Sequence, residues 1–323
     1  MKSILITGAT GFIASHLMPL LIKHGWCISA AIRSNSNQIP TDVTPVSIGD
    51  INSSTSWHHA LKDIDILIHL AARAHILQDK ASNPEAEFFK VNTEGTANLV
   101  KQAIQAGVKH FVFISSIGAM TTLSDRPLTE NSPCQPDTPY GRSKLQAEQA
   151  LISLAKQSNM TWTILRPTLV YGSGNPGNME RLIKLVNRGF PLPFARVKNR
   201  RSFIFVGNLV DAIATCLTHP QAANQIFLVS DGEDVSTPEL VSKIALQIQK
   251  PCNLLPVPTS LLKFTGYLGD KLEYLTKKPL PLNTATVDRL LGSLFIDSNH
   301  IQNTLNWQPP FTIEQGLFQT LRP

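Results

Sequence analysis

The segment Thr7-Gly8-Ala9-Thr10-Gly11-Phe12-Ile13-Ala14 indicates the fold of this chain. It follows a short apolar run at residues 3–7 and opens residues 12–24, where apolar side chains recur with helical spacing until Gly25. Glycines permit a tight turn and a close approach to a pyrophosphate, and the helix N-terminus offers free N–H groups. Ala14, where a third glycine is usual, still permits close helix packing. An ordinary glycine-rich turn is the alternative, but a strand before and a helix after favour a dinucleotide site.

Strand-like and helix-like segments alternate through the first half of the chain. Further apolar runs predict buried strands at 27–32, 46–48, 64–70, 110–115 and 161–166. Apolar residues with helical spacing predict a helix at 87–106, among these strands. This alternation indicates a parallel sheet with helices on both faces. We therefore predict an α/β fold with a doubly wound, Rossmann-type parallel sheet in residues 1–167. Pro19 is unexpected in the first helix, because proline removes a hydrogen bond there.

The pattern changes after residue 167. Glycine and proline cluster at 171–177, and an irregular basic segment follows. Beyond it, the sequence predicts helices at 208–217, 237–249 and 260–275 and an extended segment at 225–229. We predict that residues 168–323 form mainly a smaller, discontinuous α/β substrate-binding domain, with a segment of about 203–230 returning to the first domain.

Composition restricts the class of partner. The 323 residues carry a formal net charge of +6, which favours an anionic partner: nucleic acid, an acidic membrane surface or a phosphorylated metabolite. The basic residues are scattered, and the densest cluster is Lys198, Arg200 and Arg201. Without a recognition motif or interleaved aromatic and basic residues, we expect no nucleic acid partner.

Cysteine and apolar patterns bear on the compartment. The four cysteines form no CxxC pair, which predicts reduced thiols and no metal site. The sequence shows no signal peptide and no apolar stretch near the roughly 18 residues of a membrane span. We expect a cytoplasmic protein without membrane insertion.

Candidate cofactor-binding residues follow the ends of the predicted strands. NAD sites commonly place an acid after the second strand, but Arg33 stands there and would suit a 2′-phosphate, unless it is a solvated surface arginine. This gives a slight preference for NADP(H) over NAD(H). Asp50 and Ile51, after the third predicted strand, are candidates to contact the adenine. The segment Leu70, Ala71 and Ala72, which ends the fourth, could line the path of the pyrophosphate and ribose. The predicted cofactor site also includes residues of the glycine-rich turn: Gly8, Thr10, Gly11, Phe12 and Ile13.

A tyrosine and a lysine provide the candidate chemistry. Tyr140 and Lys144 are four residues apart, which places them on one face of a helix. A lysine ammonium and a positive nicotinamide would lower the pKa of the phenol from about 10, so that tyrosine exchanges a proton with a sugar hydroxyl while hydride moves. Ser116, after the predicted strand 110–115, could hydrogen-bond the same oxygen.

These motifs resemble those of extended short-chain dehydrogenases/reductases, within the nucleotide-sugar epimerase/dehydratase group. The resemblance covers nearly the whole chain and rests on TGATGFIAS (7–15), GDI (49–51), HLAA (69–72), VNTEGTANL (91–99), FVFISS (111–116), PYGRSK (139–144), LRPTLVYG (165–172), RRSFIFVGNLVDAI (200–213) and LNWQPPFTIEQGL (305–317). It implies that Ser116, Tyr140 and Lys144 are catalytic, with Ser115 the rival serine. Asn92 is implied to be structural and Pro167 to contact the cofactor.

The resemblance also implies a UDP-sugar substrate between two domains. Asn178 and Arg201 match residues that contact the diphosphate, and a guanidinium fork suits two phosphate oxygens. Arg289 is a candidate by position, while Arg73 and His75 follow the strand that approaches the sugar; a surface histidine is an equal alternative for His75. A homodimer through helices near 94–104 and 144–155 is a further expectation.

The sequence is compatible with two reactions at C4 of the sugar. Ile117 and Gly118 replace the acidic pair that 4,6-dehydratases have after the catalytic hydroxyl residue, which argues against a dehydratase. A 4-ketoreductase with a dissociable cofactor is favoured because Arg33 suits NADPH; the alternative is a 4-epimerase with tightly bound NAD. The segments NRRSFIFVGNLVDAI (199–213) and VSDGEDVSTPEL (229–240) resemble a bacterial subgroup that contains both enzymes, which implies a role in surface polysaccharide precursors. A non-catalytic NADP-binding sensor is a distant third hypothesis, since such proteins typically lose the tyrosine or the lysine.

Overall fold

The computed structural model describes residues 2–34, 36, 38–74, 83–175, 177–276 and 283–322. Its strands are β1 (Ser3–Thr7), β2 (Cys27–Ile32), β3 (Val43–Ser47), β4 (Ile66–His69), β5 (His110–Ile114), β6 (Thr161–Pro167), β7 (Leu169–Tyr171), β8 (Arg201–Phe205), β9 (Gln225–Val229) and β10 (Asp234–Val235). A seven-stranded parallel sheet has the order β3-β2-β1-β4-β5-β6-β9, and a three-stranded sheet has the order β10-β8-β7.

Helices surround both sheets. They are α1 (Phe12–Lys23), α2 (Pro84–Phe88), α3 (Gly95–Gln105), α4 (Pro139–Ala155), α5 (Asn178–Asn187), α6 (Val206–Thr218), α7 (Thr237–Gln247), α8 (Thr259–Thr276), α9 (Thr284–Leu291), α10 (Asn299–Leu305) and α11 (Ile313–Leu321). A π-helical turn at Phe89–Glu94 joins α2 to α3, and 3-10 turns lie at Ile117–Ala119 and Pro220–Ala222. None of the helices in the described residues combines the length and apolar character needed to cross a membrane.

The large sheet is buried on both faces. Ile4 and Ile6 of β1 pack in the core that includes the apolar sides of α1 and α6, whereas Leu5 packs in the core formed with α3 and α4. Successive strand side chains point to opposite faces, so a strand covered on both sides is apolar throughout. This accounts for the continuous apolar runs and confirms the predicted doubly wound, Rossmann-type sheet.

The strand order places a crevice beside β1. This strand pairs with β2 on one side and with β4 on the other, so the chain changes direction across the sheet after β3. Ligands bind at the carboxyl ends of parallel strands where the order reverses. The glycine-rich turn after β1 lies at this point.

Some elements differ from the sequence prediction. Helix α1 continues through Pro19. Proline has no N–H to donate to the carbonyl of Ser15 four residues earlier. Because Ser15 and Pro19 are both exposed, that carbonyl lies on the solvent side of the helix. The predicted helix 87–106 contains the π-helical turn, and β3 begins three residues earlier than the predicted 46–48. Of the segment predicted to return to the first domain, β9 joins the large sheet, but residues 203–205 belong to β8 in the small sheet.

Candidate active site

The turn after β1 has the geometry of an anion cradle. Gly8 has φ +67°, and a Cβ there would lie 2.7 Å from the backbone nitrogen of Ala71. Gly11 donates its N–H to the Gly8 carbonyl at 2.9 Å and begins α1 without a side-chain cap. The N–H groups of the first turn of α1, from Phe12 and Ile13, are therefore available to a phosphate. The residues fit a dinucleotide pyrophosphate.

The end of β4 is tied to this turn. Leu70 and Ala71 donate their N–H groups to the carbonyl and hydroxyl of Thr7, each at 3.3 Å. His69, which the sequence analysis did not single out, is buried between the hydroxyls of Thr7 (2.6 Å) and Thr96 (2.9 Å). Burial, and secondarily the charge of Lys144, lowers the pKa of His69 to about 3, so the ring is neutral.

Arg33 lies at the end of β2 beside an acid that the sequence analysis assigned separately to the adenine. Its guanidinium is 3.7 Å from the Asp50 carboxylate, and the two side chains are 79% and 81% exposed. The Asp50 carbonyl accepts a hydrogen bond from the Thr55 hydroxyl at 2.7 Å. A 2′-phosphate near Arg33 would therefore also meet a negative charge, which weakens the argument for NADP(H).

The structure brings Ser116, Tyr140 and the 3-10 turn together. Ser116 and Tyr140 both lie beside Gly118: a Cβ on this glycine would be 3.3 Å from the Ser116 hydroxyl and 3.9 Å from the Tyr140 ring. The Ser116 hydroxyl also accepts the N–H of Gly118 at 3.0 Å. A Cβ on Gly141 would lie 2.1 Å from the Gly118 carbonyl oxygen, so glycine allows α4 to pack on this turn. Burial raises the pKa of Tyr140 to about 12, and the nearby Ser116 hydroxyl opposes the rise. The lowering of this pKa that the sequence predicts from Lys144 is not observed: burial raises the pKa of Tyr140, and the Lys144 ammonium binds the Ile114 carbonyl.

Lys144 is directed into the protein interior. Its ammonium donates to the Ile114 carbonyl at 2.6 Å and lies 4.0 Å above the centre of the Phe113 ring. The residue is 1% exposed. Burial lowers its pKa to about 7, although the charge of Glu148 acts in the opposite direction. Lys144 is therefore close to its protonation midpoint at neutral pH.

A buried ion pair lies one helical turn further along α4. Glu148 binds Arg166 of β6, with Nη2–Oε2 at 2.6 Å and Nε–Oε1 at 3.0 Å, and both side chains are almost fully buried. Ser115 donates its hydroxyl to the same carboxylate. Because that bond occupies Ser115 while the Ser116 hydroxyl lies near the Tyr140 ring beside Gly118, the geometry favours Ser116 as the candidate reactive serine.

Asn92 fixes the segment that leads from β4 toward the substrate. Its side-chain oxygen accepts the N–H of Arg73 at 2.7 Å, and its amide donates to the Arg73 carbonyl at 3.1 Å and to the Ser143 hydroxyl at 3.0 Å. The Arg73 guanidinium lies 5.7 Å from the centre of the Phe88 ring, which meets Tyr140 edge-on at 6.2 Å. Arg73 thus lies close to the predicted sugar position. The His75 candidate lies outside the described residues.

A pair of arginines lies where the start of β8 meets α9. Arg201 donates to the carbonyls of Arg289 and Gly292, the latter at 3.0 Å. Burial, and then the neighbouring charge of Arg289, lowers the pKa of Arg201 to about 10, which leaves it a cation. Asn199, absent from the sequence prediction, positions this segment by donating to the carbonyls of Leu290 (3.1 Å) and Gly292 (3.2 Å).

The arginine pair suits an anion. Over the described ranges, no carboxylate lies within ion-pair distance of Arg201 or Arg289. Two neighbouring guanidiniums without a protein counter-charge favour binding of phosphate oxygens. Asn178 is the first residue of α5, and in the described part of the chain no hydrogen bond connects it with the pair. Pro167 ends β6, opposite Val229.

Comparison with known proteins identifies the family. The model of the NAD dependent epimerase/dehydratase family matches residues 4–230. The chain belongs to this family. Among its relatives is a UDP-glucose 4-epimerase of Vibrio cholerae, 44% identical over 99% of this chain and 94% of the relative. An N-acetyl-alpha-D-glucosaminyl-diphospho-ditrans,octacis-undecaprenol 4-epimerase of Escherichia coli O157:H7 is 28% identical over 99% of this chain and 94% of the relative.

Solved structures show the same fold. A UDP-glucose 4-epimerase of Thermotoga maritima with UDP-glucose has a TM-score of 0.76 at 22% identity, covering 99% of this chain and 97% of the other. MoeE5 in complex with UDP-glucose and NAD has a TM-score of 0.76 at 24% identity, with the same coverage. Membership of the NAD-dependent epimerase/dehydratase family confirms the resemblance and the expectation of an NAD(P)-dependent enzyme.

Replacing the buried Lys144 tests how much its burial lowers the free energy of unfolding. We expect Lys144→Met to raise the free energy of unfolding at pH 7 by about 2 kcal/mol or more, because the wild type must bury an ammonium or release its proton. The gain should shrink as pH rises from about 7 to 10.5, where the unfolded lysine also loses its proton. Urea unfolding at both ends of this range measures it, with the exposed Lys184→Met as control. A pH-independent difference would contradict the prediction.

Charge changes at the end of β2 test cofactor choice. Asp50→Asn removes the negative charge beside Arg33, so we expect NADP⁺ to bind about 3–10 times more tightly while NAD⁺ binding is unchanged. Arg33→Ala should weaken NADP⁺ binding alone. Dissociation constants for both nucleotides measure this, with the exposed Arg188→Ala as control. Equal effects on the two nucleotides would show that the pair does not face the 2′ position.

Proposed function

We propose that this chain is an NAD-dependent 4-epimerase acting on a UDP-hexose or UDP-N-acetylhexosamine. The observation that carries the proposal is the 44% identity, over 99% of the chain, with the Vibrio cholerae relative named UDP-glucose 4-epimerase. The sequence analysis favoured a 4-ketoreductase because of Arg33. The Arg33–Asp50 pair removes much of that reason, and the relatives favour the epimerase.

The proton-transfer group in the proposed reaction is Tyr140. Its phenol, with the Ser116 hydroxyl nearby, would take the proton of the C4 hydroxyl and, after the keto sugar has rotated, return it to the C4 oxygen as the hydride enters at the opposite face of C4. Ser116 would orient the same oxygen. Because burial alone favours the neutral phenol, the phenolate requires nearby positive charge. Lys144, the next residue on the same face of α4, supplies it when protonated.

The cofactor would lie along the carboxyl ends of the parallel strands. Gly8, Gly11 and the first turn of α1 would hold its pyrophosphate, and the segment 70–72 would follow its path toward Tyr140. NAD, when bound, accepts the hydride from C4 and gives it back. The uncharged His69 and the buried face of β4 keep water from this part of the cleft.

The diphosphate would bind at the far end. The two relatives named above act, by their names, on sugars attached to a diphosphate. In this chain the corresponding group would bind Arg201 and Arg289, with Asn178 at the start of α5 as a further candidate. A homodimer through α3 and α4, a cytoplasmic location and a role in surface polysaccharide precursors remain expectations of this proposal.

The decisive experiment separates epimerase from reductase. Protein purified without added cofactor is denatured and its released nucleotide identified by mass spectrometry, and the native enzyme is incubated with UDP-glucose alone. We expect near-stoichiometric NAD and formation of the C4 epimer without consumption of added cofactor. An empty site that takes NADPH, together with reduction of a UDP-4-keto sugar, would instead establish the ketoreductase.

Removal of the phenol oxygen tests the role of Tyr140. We expect Tyr140→Phe to lower kcat by about 10²–10⁴-fold while NAD stays bound, because the proton carrier is lost and the pyrophosphate site is intact. Tyr267→Phe, which removes an exposed phenol on α8, serves as the control. Unchanged turnover in Tyr140→Phe would eliminate the assigned acid–base role.

Neighbouring arginines allow a matched test of diphosphate binding. We expect Arg201→Gln to raise KM for the UDP-sugar by about 10–100-fold with little change in kcat, because a charged hydrogen bond is lost equally from substrate and transition state. The control is Arg200→Gln, since the Arg200 side chain is 64% exposed and pairs with Asp234 at 3.0 Å. A similar KM in both variants would place the diphosphate elsewhere.

A further inference from the structure

Helix α8 carries an apolar face that the fold leaves exposed. The helix has 18 residues and packs on α9 through Gly266, where a Cβ would lie 3.1 Å from the Thr284 Cα and the Val287 side chain. Its opposite side displays large apolar side chains that are 48% to 75% exposed: Leu261, Phe264, Leu268, Leu272 and Leu275. Their spacing of three and four residues forms one stripe along the helix.

The edge of this stripe is basic and aromatic. Lys263, Tyr267 and Lys271 are spaced by four residues and so form a row beside the apolar side chains. The Lys271 ammonium lies 4.8 Å from the centre of the Tyr267 ring. The acidic Asp270 is on the other side, where it accepts the N–H of Thr284 at 3.1 Å. Positive charge therefore borders the exposed face, and this carboxylate is turned toward α9.

We propose that α8 is an interfacial helix that docks this protein on an anionic lipid membrane. A helix of about 27 Å with leucine and phenylalanine on one side and lysines at the edge is suited to lie in the plane of a bilayer surface. The leucines and Phe264 would enter the acyl boundary, Tyr267 would lie at the headgroups, and the lysine ammoniums would contact anionic headgroups. The formal net charge of +6 adds to the attraction.

Docking would place the lipid surface close to the arginine pair. Helix α8 packs on α9, and α9 carries Arg289, whose carbonyl accepts a hydrogen bond from Arg201. If the proposed diphosphate site is correct, membrane docking through α8 places only the neighbouring helix α9 between the lipid headgroups and the diphosphate. Docking itself depends only on α8 and does not require the epimerase activity.

Vesicle co-sedimentation tests the proposal directly. We expect the full-length protein to bind vesicles of phosphatidylcholine mixed with phosphatidylglycerol, and to bind pure phosphatidylcholine and high-salt samples more weakly. Phe264→Glu and Leu268→Glu should each weaken binding at least about tenfold, because each removes a large apolar side chain from the interface. Phe318→Glu is the matched control, since Phe318 is a similarly exposed phenylalanine on α11. It should bind like the wild type.

A second variant and two further readouts complete the test. Lys263→Glu/Lys271→Glu should lose binding to anionic vesicles without altering the apolar face. Turnover of a soluble UDP-sugar should be unchanged in all α8 variants, so loss of docking and loss of the proposed activity are distinguished. Absence of vesicle binding, or equal binding by Phe264→Glu and Phe318→Glu, would overturn the proposal. So would a lower molecular mass of Phe264→Glu by light scattering without lipid, because a second copy of the chain would then cover this face.

Discussion

The candidate active site depends on the buried charge cluster that links α4 to β5 and β6 of the large sheet. Tyr140, Lys144 and Glu148 are spaced by four residues on one face of α4, and Lys144 and Glu148 are almost fully buried. Lys144 is held by the Ile114 carbonyl and the Phe113 ring, and Glu148 is held by Arg166 and Ser115. Loss of one partner from a buried ion pair leaves an uncompensated charge, which typically costs about 3–5 kcal/mol. The position of the reactive phenol is therefore fixed by interactions that extend across two strands.

Close backbone packing allows this cluster to form. Glycine at positions 118 and 141 lets the 3-10 turn after β5 lie against the start of α4, which brings Ser116 to Tyr140. On the other side, the π-helical turn carries Asn92, which binds both the Arg73 backbone and Ser143 of α4. π-Helical turns are frequent at functional sites, where the extra residue redirects a side chain. Here it joins the segment after β4 to α4, the helix that carries Tyr140 and Lys144.

The sequence predicted what local chemistry determines. The glycine-rich turn, the apolar strands and the four-residue spacing of Tyr140 and Lys144 each have a local signature, and the structure contains all of them. Pairs formed across the fold left no such signature. Glu148 and Arg166 are 18 residues apart, and Arg33 and Asp50 were assigned separate roles although their side chains meet. A polar residue within an apolar strand, such as His69 or Arg166, was the available signal for buried function.

Helix α8 shows a second kind of feature that the sequence could not predict. The apolar periodicity of 260–275 predicts a helix correctly, and periodicity alone would also assign its apolar face to the core. In the structure Gly266 gives α9 a close contact on the other side of α8, and the leucine stripe remains exposed. If Arg201 and Arg289 bind the proposed diphosphate, they recognise its phosphates and not the rest of the ligand. The exposed apolar stripe of α8 is then a separate surface, next to the helix that carries Arg289, and its composition is suited to lipid.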